Sequence, residues 1–152
     1  MKLRTKARGV ALQALYEIDI TGHPAGVVLQ SRFKETNLDA RLEEFARTIV
    51  NSIEPIRDEL DFFIAEHAPE WPIDQVSTID RNLLRIALWE FAVSENTPVK
   101  VAINEAIELA KRYGSDSTPR FVNGVLGSLV SRRNEIRQSI LALKSKQNSN
   151  SE

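Results

Sequence analysis

Apolar residues recur at helical spacing along most of this 152-residue chain, and no segment alternates as a strand would. From Ala7 to Ile18 they follow an i, i+3, i+4, i+7 pattern, which predicts a helix over residues 4–20 with one buried stripe. The run from about Ser77 to Ser94 is apolar on several sides, which is typical of a helix at the centre of a bundle. Charges on such a crowded helix need partners, and we predict that Arg85 pairs with Glu105 of the next helix. The sequence therefore predicts an all-α fold with no β-sheet.

Proline and glycine mark the expected ends of these helices. Gly22-His23-Pro24 ends the first helix, and Pro55 should kink or divide a long third helix near residues 52–54. Thr97-Pro98 and Thr118-Pro119 each place a capping hydroxyl before a proline in the first helical position. The expected helices cover residues 4–20, 25–34, 37–68 with a break at the proline, 77–94, 98–113, 119–133 and 136–143.

The chain length fits one globular domain or two small subdomains that share a core. Pro69 and Pro72 exclude a continuous helix, so the segment Pro69-Glu70-Trp71-Pro72 is the expected joint between two small helical bundles packed together. We predict an N-terminal helical subdomain with a basic leader at 1–68 and a C-terminal helical subdomain at 69–143. The tail at 144–152 is polar without an apolar stripe, which predicts disorder.

Charge is distributed unevenly along the chain, although the formal net charge is only −1. The basic leader (Lys2, Arg4, Lys6 and Arg8) contains no acid, and residues 132–146 carry a further excess of positive charge. The body between these ends is acidic. This asymmetry suggests terminal segments that meet an anionic partner, although basic ends that are merely solvated have the same composition.

The leader also lies at the expected start of the first helix, where the helix dipole favours acids. A cation there costs a few tenths of a kcal/mol, up to about 1. Such local conflicts tend to occur where function requires them, and exposed backbone N–H groups with basic side chains together favour phosphate. The alternative is a frayed basic tail.

A second candidate site lies at the start of the helix that follows Thr118-Pro119. Arg120 falls in its first turn, and Phe121 either stacks on an unpaired base or packs in the core. Gly124 within this helix costs about 1 kcal/mol relative to alanine, which suggests close approach by another backbone or a ligand. Tyr16 borders the apolar stripe of the first helix, where its hydroxyl can reach a partner or water.

Several classes of function find no support in the sequence. There is no cysteine, and the only two histidines, His23 and His67, lack helical metal-ligand spacing. Neither a glycine-rich phosphate loop nor a Gly-x-Ser-x-Gly elbow is present. We therefore expect no catalytic residues, no metal and no cofactor. Because no apolar stretch approaches a membrane span and no signal-peptide core follows the basic start, we expect a cytoplasmic protein without membrane contact.

Four motifs follow one another between about residues 4 and 130. They are Arg8-x-x-Ala11-x-Gln13-x-Leu15-Tyr16, Asp80-Arg81-x-Leu83-Leu84-Arg85-Ile86-Ala87-x-x-Glu90, Pro98-x-x-Val101-Ala102-Ile103-Asn104-Glu105-Ala106-x-Glu108-Leu109-Ala110-Lys111 and Phe121-Val122-Asn123-Gly124-Val125-Leu126. In order and spacing they resemble the NusB family of bacterial transcription antitermination factors.

This resemblance implies an all-α fold of two three-helix subdomains and a non-catalytic role. NusB-like proteins pair with the small-subunit ribosomal protein NusE, and the pair binds the boxA element of nascent RNA. They help RNA polymerase to read through terminators, notably in ribosomal RNA operons. The competing hypothesis is a purely protein-binding helical adaptor whose partner contacts the RNA.

The residue motifs and the resemblance together define the expected contacts. The predicted residues that bind single-stranded boxA-type RNA are Lys2, Arg4, Lys6, Arg8, Tyr16, Arg81, Arg120 and Phe121. The predicted partner-binding residues are Asp80 and Tyr16. We further expect the basic leader, the start of the first helix and the Arg120–Phe121 start to form one RNA surface.

Overall fold

A computed structural model describes residues 2–68 and 72–150, with side chains to residue 148. Residues 69–71 of the predicted joint Pro69-Glu70-Trp71-Pro72 lie outside the described residues, as does the end of the predicted tail at 151–152. The described residues form eight α-helices and no strand, so the predicted all-α fold is confirmed. The helices are α1 (Leu3–Thr21), α2 (Ala25–Lys34), α3 (Ala40–Ile53), α4 (Arg57–Glu66), α5 (Thr78–Leu88), α6 (Val99–Tyr113), α7 (Thr118–Leu129) and α8 (Arg133–Asn150).

Two helices, α1 and α5, are central to the packing. In the N-terminal half α1 packs on α2 and α3, and in the C-terminal half α5 packs on α6 and α7. The two central helices also contact each other directly. One apolar core continues from Leu12 and Leu15 of α1 through Leu84 of α5 to Leu126 of α7, all fully buried. The two groups of helices therefore share one core, and α4, which follows the break after α3, packs on α5 and α7.

The predicted helix breaks are present at proline and glycine. Pro55 lies in a 3₁₀ turn (Glu54–Ile56) that divides α3 from α4, because its ring cannot occupy a helix interior. Gly22 ends α1 with a left-handed φ of 73°, and its N–H donates to the Ile18 carbonyl at 2.8 Å. Glycine adopts this conformation without a steric penalty from a side chain.

The predicted threonine caps, however, are wrong. Pro98 and Ser117 are the residues that precede α6 and α7, and neither helix start has a side-chain cap. The Thr97 hydroxyl instead donates to the Glu90 carboxylate at 3.2 Å, and the Thr118 hydroxyl donates to Asp80 at 2.9 Å. An ionised acceptor forms the stronger hydrogen bond, so both hydroxyls connect separate elements rather than cap their own helices.

The C-terminal tail also differs from the prediction, because α8 continues to Asn150. Ile136 and Ile140 are fully buried and anchor the helix on the C-terminal half. Once these turns have formed, each further residue adds a hydrogen bond at little cost, and leucine, lysine, glutamine and alanine are good helix formers. The predicted disorder at 144–152 is therefore wrong as far as residue 150.

The end of α5 widens into a π-helical turn, here called the π segment (Trp89–Ser94). It ends at Glu95, whose φ of 56° is left-handed and is uncommon for a residue with a side chain. The extra residue of a π turn changes the direction of the following side chains, and such turns are frequent at functional sites. Here Glu90 is 2% exposed and is directed toward α1.

Arg85 does not pair with Glu105, contrary to the prediction. Its Nη1 donates to Asp19 at 2.7 Å, while Nε and Nη2 donate to the two oxygens of Asp61 at 2.7 Å each. Arg85 faces α1 and α4, whereas Glu105 lies beside the start of α1. Burial opposes the charge of Arg85, but the hydrogen bonds and attraction of Asp61 and Asp19 outweigh it and raise its pKa above the ordinary value.

We expect Arg85→Ala to lower the free energy of unfolding by about 3–5 kcal/mol, because it leaves two carboxylates in a largely buried site without their cation. Lys111→Ala is the control, since Lys111 pairs with Glu108 on the exposed surface of α6 and should cost less than about 1 kcal/mol. Urea unfolding measures both changes. An Arg85→Ala protein as stable as the Lys111→Ala protein contradicts the role given to this network.

Candidate nucleic-acid interface

Three leader cations stand exposed at the start of α1. The helix begins at Leu3 after Lys2, has no side-chain cap and carries no acid in its first turn. Lys2, Arg4 and Lys6 are exposed, and we call them the exposed leader cations. Backbone N–H groups without intrahelical partners and three positive side chains therefore occupy one end of the molecule. This arrangement attracts anions, above all phosphate.

Arg4 lies over an aromatic ring. Its guanidinium carbon is 4.4 Å from the centroid of Phe45 on α3, a cation–π geometry. Beside this pair is a depression of about 650 Å³, whose wall includes Leu3, Trp89 and Asn96. The ring restricts the flat guanidinium at the rim of the depression, where it can still donate to a phosphate or a base edge.

Arg8 differs from the other leader residues because it is buried, with 4% of the side chain exposed. Its Nε is 3.1 and 3.0 Å from the two oxygens of Glu90, and its Nη2 donates to Glu90 Oε1 at 2.8 Å. Its Nη1 also lies 3.6 Å from Glu105. In this structure two carboxylates occupy the guanidinium of Arg8 and the side chain is almost inaccessible to solvent, so its predicted contact with RNA stays a prediction that the structure does not favour.

Hydroxyl groups complete the surroundings of Arg8. Thr5 donates to Glu105 at 2.6 Å, and Thr97 donates to Glu90. The first turns of α1 are thus tied to α6 and to the π segment by charged and hydrogen-bonded contacts. These contacts fix the orientation of the helix start that carries the exposed leader cations.

The Arg120–Phe121 site lies away from the leader. Thr5 meets Glu105, and the Tyr113 ring packs beside Gly9, so α6 runs alongside α1 in the same direction. Along α6, Glu105 and Tyr113 are eight residues apart, which is about 12 Å, and α7 begins after the turn beyond Tyr113. The leader therefore lies beside the middle of α6 and the Arg120–Phe121 site lies beyond its end, and the single RNA surface that would join them stays a prediction.

At this second site Arg120 is exposed, while Phe121 is partly buried against the apolar core. Part of the Phe121 ring therefore packs against the core, and stacking of a base on the exposed part stays a prediction. Gly114 makes the local turn possible, because a side chain there would collide with Thr118 at 2.5 Å. Gly124 faces open space, so the predicted close approach by another backbone of this chain is wrong.

The remaining predicted contact residues differ in how exposed they are and in whether they already have partners within the chain. Tyr16 is 39% exposed on α1. Arg81 is partly buried and donates to the Ile73 carbonyl at 3.3 Å and to Thr78 at 3.2 Å, so it holds the turn before α5. Asp80 is partly buried and accepts from Thr118. The Tyr16 ring is accessible from solvent, whereas Arg81 and Asp80 already have partners within the chain.

Sequence reasoning missed Phe45, and it missed Glu90 and Glu105 as the partners of Arg8. The signal for Arg8 was present, because it precedes Ala11 and Leu12 by three and four residues and shares their buried side of α1. Glu90 likewise follows Ile86 and Ala87 on the buried side of α5. Two opposite charges on core-facing positions predict an internal pair.

Residues 2–68 and 72–150 offer neither a metal site of clustered ligands nor a membrane-spanning helix. This part of the chain contains no group of three or more histidine, aspartate or glutamate residues arranged to hold a metal ion. None of its helices combines the length and apolar character that a bilayer-spanning helix requires.

Comparison with known proteins gives a consistent result. The model of the NusB family matches residues 5–131. Transcription antitermination protein NusB of Roseiflexus castenholzii is 47% identical over 135 residues, which are 88% of this chain and 95% of the relative.

Solved structures agree. NusB of T. maritima is 31% identical and superposes with a TM-score of 0.78 over 84% of this chain and 90% of its own. A chain from a crystal structure of antitermination factors NusB and NusE in complex with dsRNA is 26% identical, with a TM-score of 0.77 over 91% of this chain and 98% of that chain.

The Arg8–Glu90 pair generates a prediction about stability. Arg8→Met should lower the free energy of unfolding by about 3–5 kcal/mol, because Glu90 is left charged and buried. Arg8→Met combined with Glu90→Leu should recover most of that loss, since neither charge then remains unpaired. A double-mutant cycle by urea unfolding measures the coupling.

Lys6→Met is the control, because Lys6 is an exposed neighbour on the same helix and its replacement should change stability by less than about 0.5 kcal/mol. If the losses in unfolding free energy of Arg8→Met and Glu90→Leu simply add in the double variant, the two side chains do not act as a pair.

Proposed function

Because the chain belongs to the NusB family, we propose that it is an RNA-binding transcription antitermination factor that pairs with the ribosomal protein NusE. In this proposal the pair binds single-stranded boxA-type RNA, joins the RNA polymerase antitermination complex and promotes read-through in ribosomal RNA operons. The observation that carries it is the exposed cluster of cations at an acid-free helix start, held in place by the buried Arg8–Glu90 pair.

The exposed leader cations supply the contacts to RNA phosphates. Lys2, Arg4 and Lys6 have no ion pair with an acid in the described part of the chain, so their charge is available to an anion. Arg120 adds a fourth exposed cation at the start of α7. A single strand that contacts all four runs from the start of α1, past the end of α6, to the start of α7. Phosphate contacts of this kind supply affinity and register rather than sequence preference.

Bases are recognised by different groups. The Arg4 guanidinium over Phe45 presents a planar donor beside the depression, and Phe121 and Tyr16 each leave part of a ring exposed. Proteins that recognise single-stranded RNA stack bases on aromatic or guanidinium planes and hydrogen-bond to their edges. Arg81 is a less accessible contact, because its guanidinium already holds the turn before α5.

The partner protein meets the acidic body of the chain. Residues 9–131 carry an excess of negative charge, and long-range attraction speeds encounter with a basic ribosomal protein. Asp80 and Tyr16 are the proposed contacts. Asp80 accepts from Thr118 through Oδ1, which leaves acceptor capacity on its carboxylate for the partner.

The proposed role is assembly rather than catalysis. The chain brings an RNA and a protein partner into one complex, and its residues bind and position without a chemical step. Since the proposed targets are a nascent transcript and a ribosomal protein of a bacterium, we place the protein in the cytoplasm.

Replacing Lys2, Arg4 and Lys6 with glutamine tests the proposal. We expect weaker binding of a boxA-type oligonucleotide and a slope of log K against log[salt] that is flatter by about 2, at roughly 0.7 per lost phosphate contact. Fluorescence anisotropy over a range of salt concentrations measures both. The melting temperature should change little, because all three side chains are exposed.

The matched control replaces Lys34, Arg47 and Lys111 with glutamine, which removes the same charge from surfaces away from the leader. If both triple variants bind alike, the leader has no specific role. Measuring RNA affinity with and without NusE distinguishes the proposed function from the competing adaptor hypothesis. The adaptor hypothesis requires that the isolated chain bind boxA-type and scrambled RNA equally.

A further inference from the structure

The C-terminal helix α8 begins just beyond the residues that the family model matches. Ile136 and Ile140 anchor it against the π segment, and the rest of its surface is largely exposed. Its sequence contains four cations and a single acid, Glu135, which pairs with Arg132. The helix is therefore a positively charged surface that the proposed RNA contacts above do not use.

The α8 cations are not evenly distributed around the helix. Arg133, Arg137 and Lys144 are four and seven residues apart, which places them within about 40° of one another at 100° per residue. They form a line about 16 Å long beside the buried stripe. All three are exposed. We call this line the α8 basic flank (Arg133, Arg137 and Lys144).

One ion pair places this flank next to the leader end of the molecule. Arg137 Nη1 lies 3.0 Å from Glu95, the left-handed residue that ends the π segment. The next two residues, Asn96 and Thr97, line the same depression as Arg4. The turn at 95–97 therefore has the exposed leader cations on one side and the α8 basic flank on the other.

From this continuity we propose that the α8 basic flank binds the phosphates of RNA that adjoins the boxA-type element. The proposal rests on the proposed function, because it extends the same RNA beyond the leader. The charge of the flank is complementary to a phosphate backbone, and aromatic side chains for base stacking are absent from the α8 sequence. The contacts are therefore independent of sequence and lengthen the bound segment.

The test compares two RNAs on the full chain. One is a short boxA-type oligonucleotide, and the other carries ten uridines on each side of it. Wild-type protein should bind the extended RNA more tightly and with a steeper salt dependence. Arg133→Gln with Arg137→Gln and Lys144→Gln should weaken binding of the extended RNA by about 10- to 100-fold near 0.1 M salt, and should flatten its slope by about 2.

The same variant should bind the short RNA as wild type does. The triple variant at Lys34, Arg47 and Lys111 again controls for net charge, and should not show the selective loss on extended RNA. Circular dichroism and thermal melting verify that α8 remains folded, since all three replaced side chains are exposed.

The outcomes separate the two proposals. If the wild-type chain binds the short RNA, and the α8 variant binds the extended RNA with wild-type affinity and salt slope, the proposal for the α8 basic flank is overturned. The proposed function is then unaffected. Equal wild-type affinity for the two RNAs overturns the proposal for the α8 basic flank as well. Failure of the wild-type chain, with and without NusE, to bind the short RNA overturns both proposals.

Discussion

The buried contact between Arg8 and Glu90 fixes how the two halves of the molecule meet at the leader end. The guanidinium and carboxylate form bidentate hydrogen bonds at 2.8–3.1 Å, with both side chains almost inaccessible to solvent. Removing two charges from water is costly, and only good geometry with further hydrogen bonds compensates for it. Thr97 supplies one such bond to Glu90, and Glu105 supplies a second carboxylate near the cation. The pair therefore defines one orientation of α1 against the π segment and α6.

This orientation explains why cations can remain at a helix start that disfavours them. The three exposed leader cations each oppose the dipole of α1, and an isolated helix with this sequence would fray at its first turn. Here Thr5 and Arg8 bind Glu105 and Glu90 from within that first part of the helix. Order at the helix start thus comes from buried contacts, while the exposed cations stay free of acids and available to phosphate.

Much of this architecture is readable in the sequence. Periodicity, Gly22 and Pro55 predict the helices and their breaks, because those signals act within a few residues. Partners distant in the chain are not readable in the same way: Arg85 pairs with Asp19 and Asp61, and Thr97 donates to Glu90. Such choices depend on which helix faces meet.

The candidate site was predictable to a similar degree. Charge and position in the sequence identified the exposed leader cations. They did not distinguish these cations from Arg8, which is buried because it pairs with a carboxylate 82 residues away. Phe45 gave no signal because its role depends on the packing of α3 against α1. The extension of α8 past residue 143 was missed because its anchors precede it.

The most direct test is to map the RNA contact by NMR, with isotope-labelled chain titrated by a boxA-type oligonucleotide. We predict that the largest changes in amide chemical shift occur at residues 2–8, around Phe45 and in the turn at 95–97. Shifts concentrated on α2 and the exposed side of α4, with the start of α1 unaffected, would contradict this prediction.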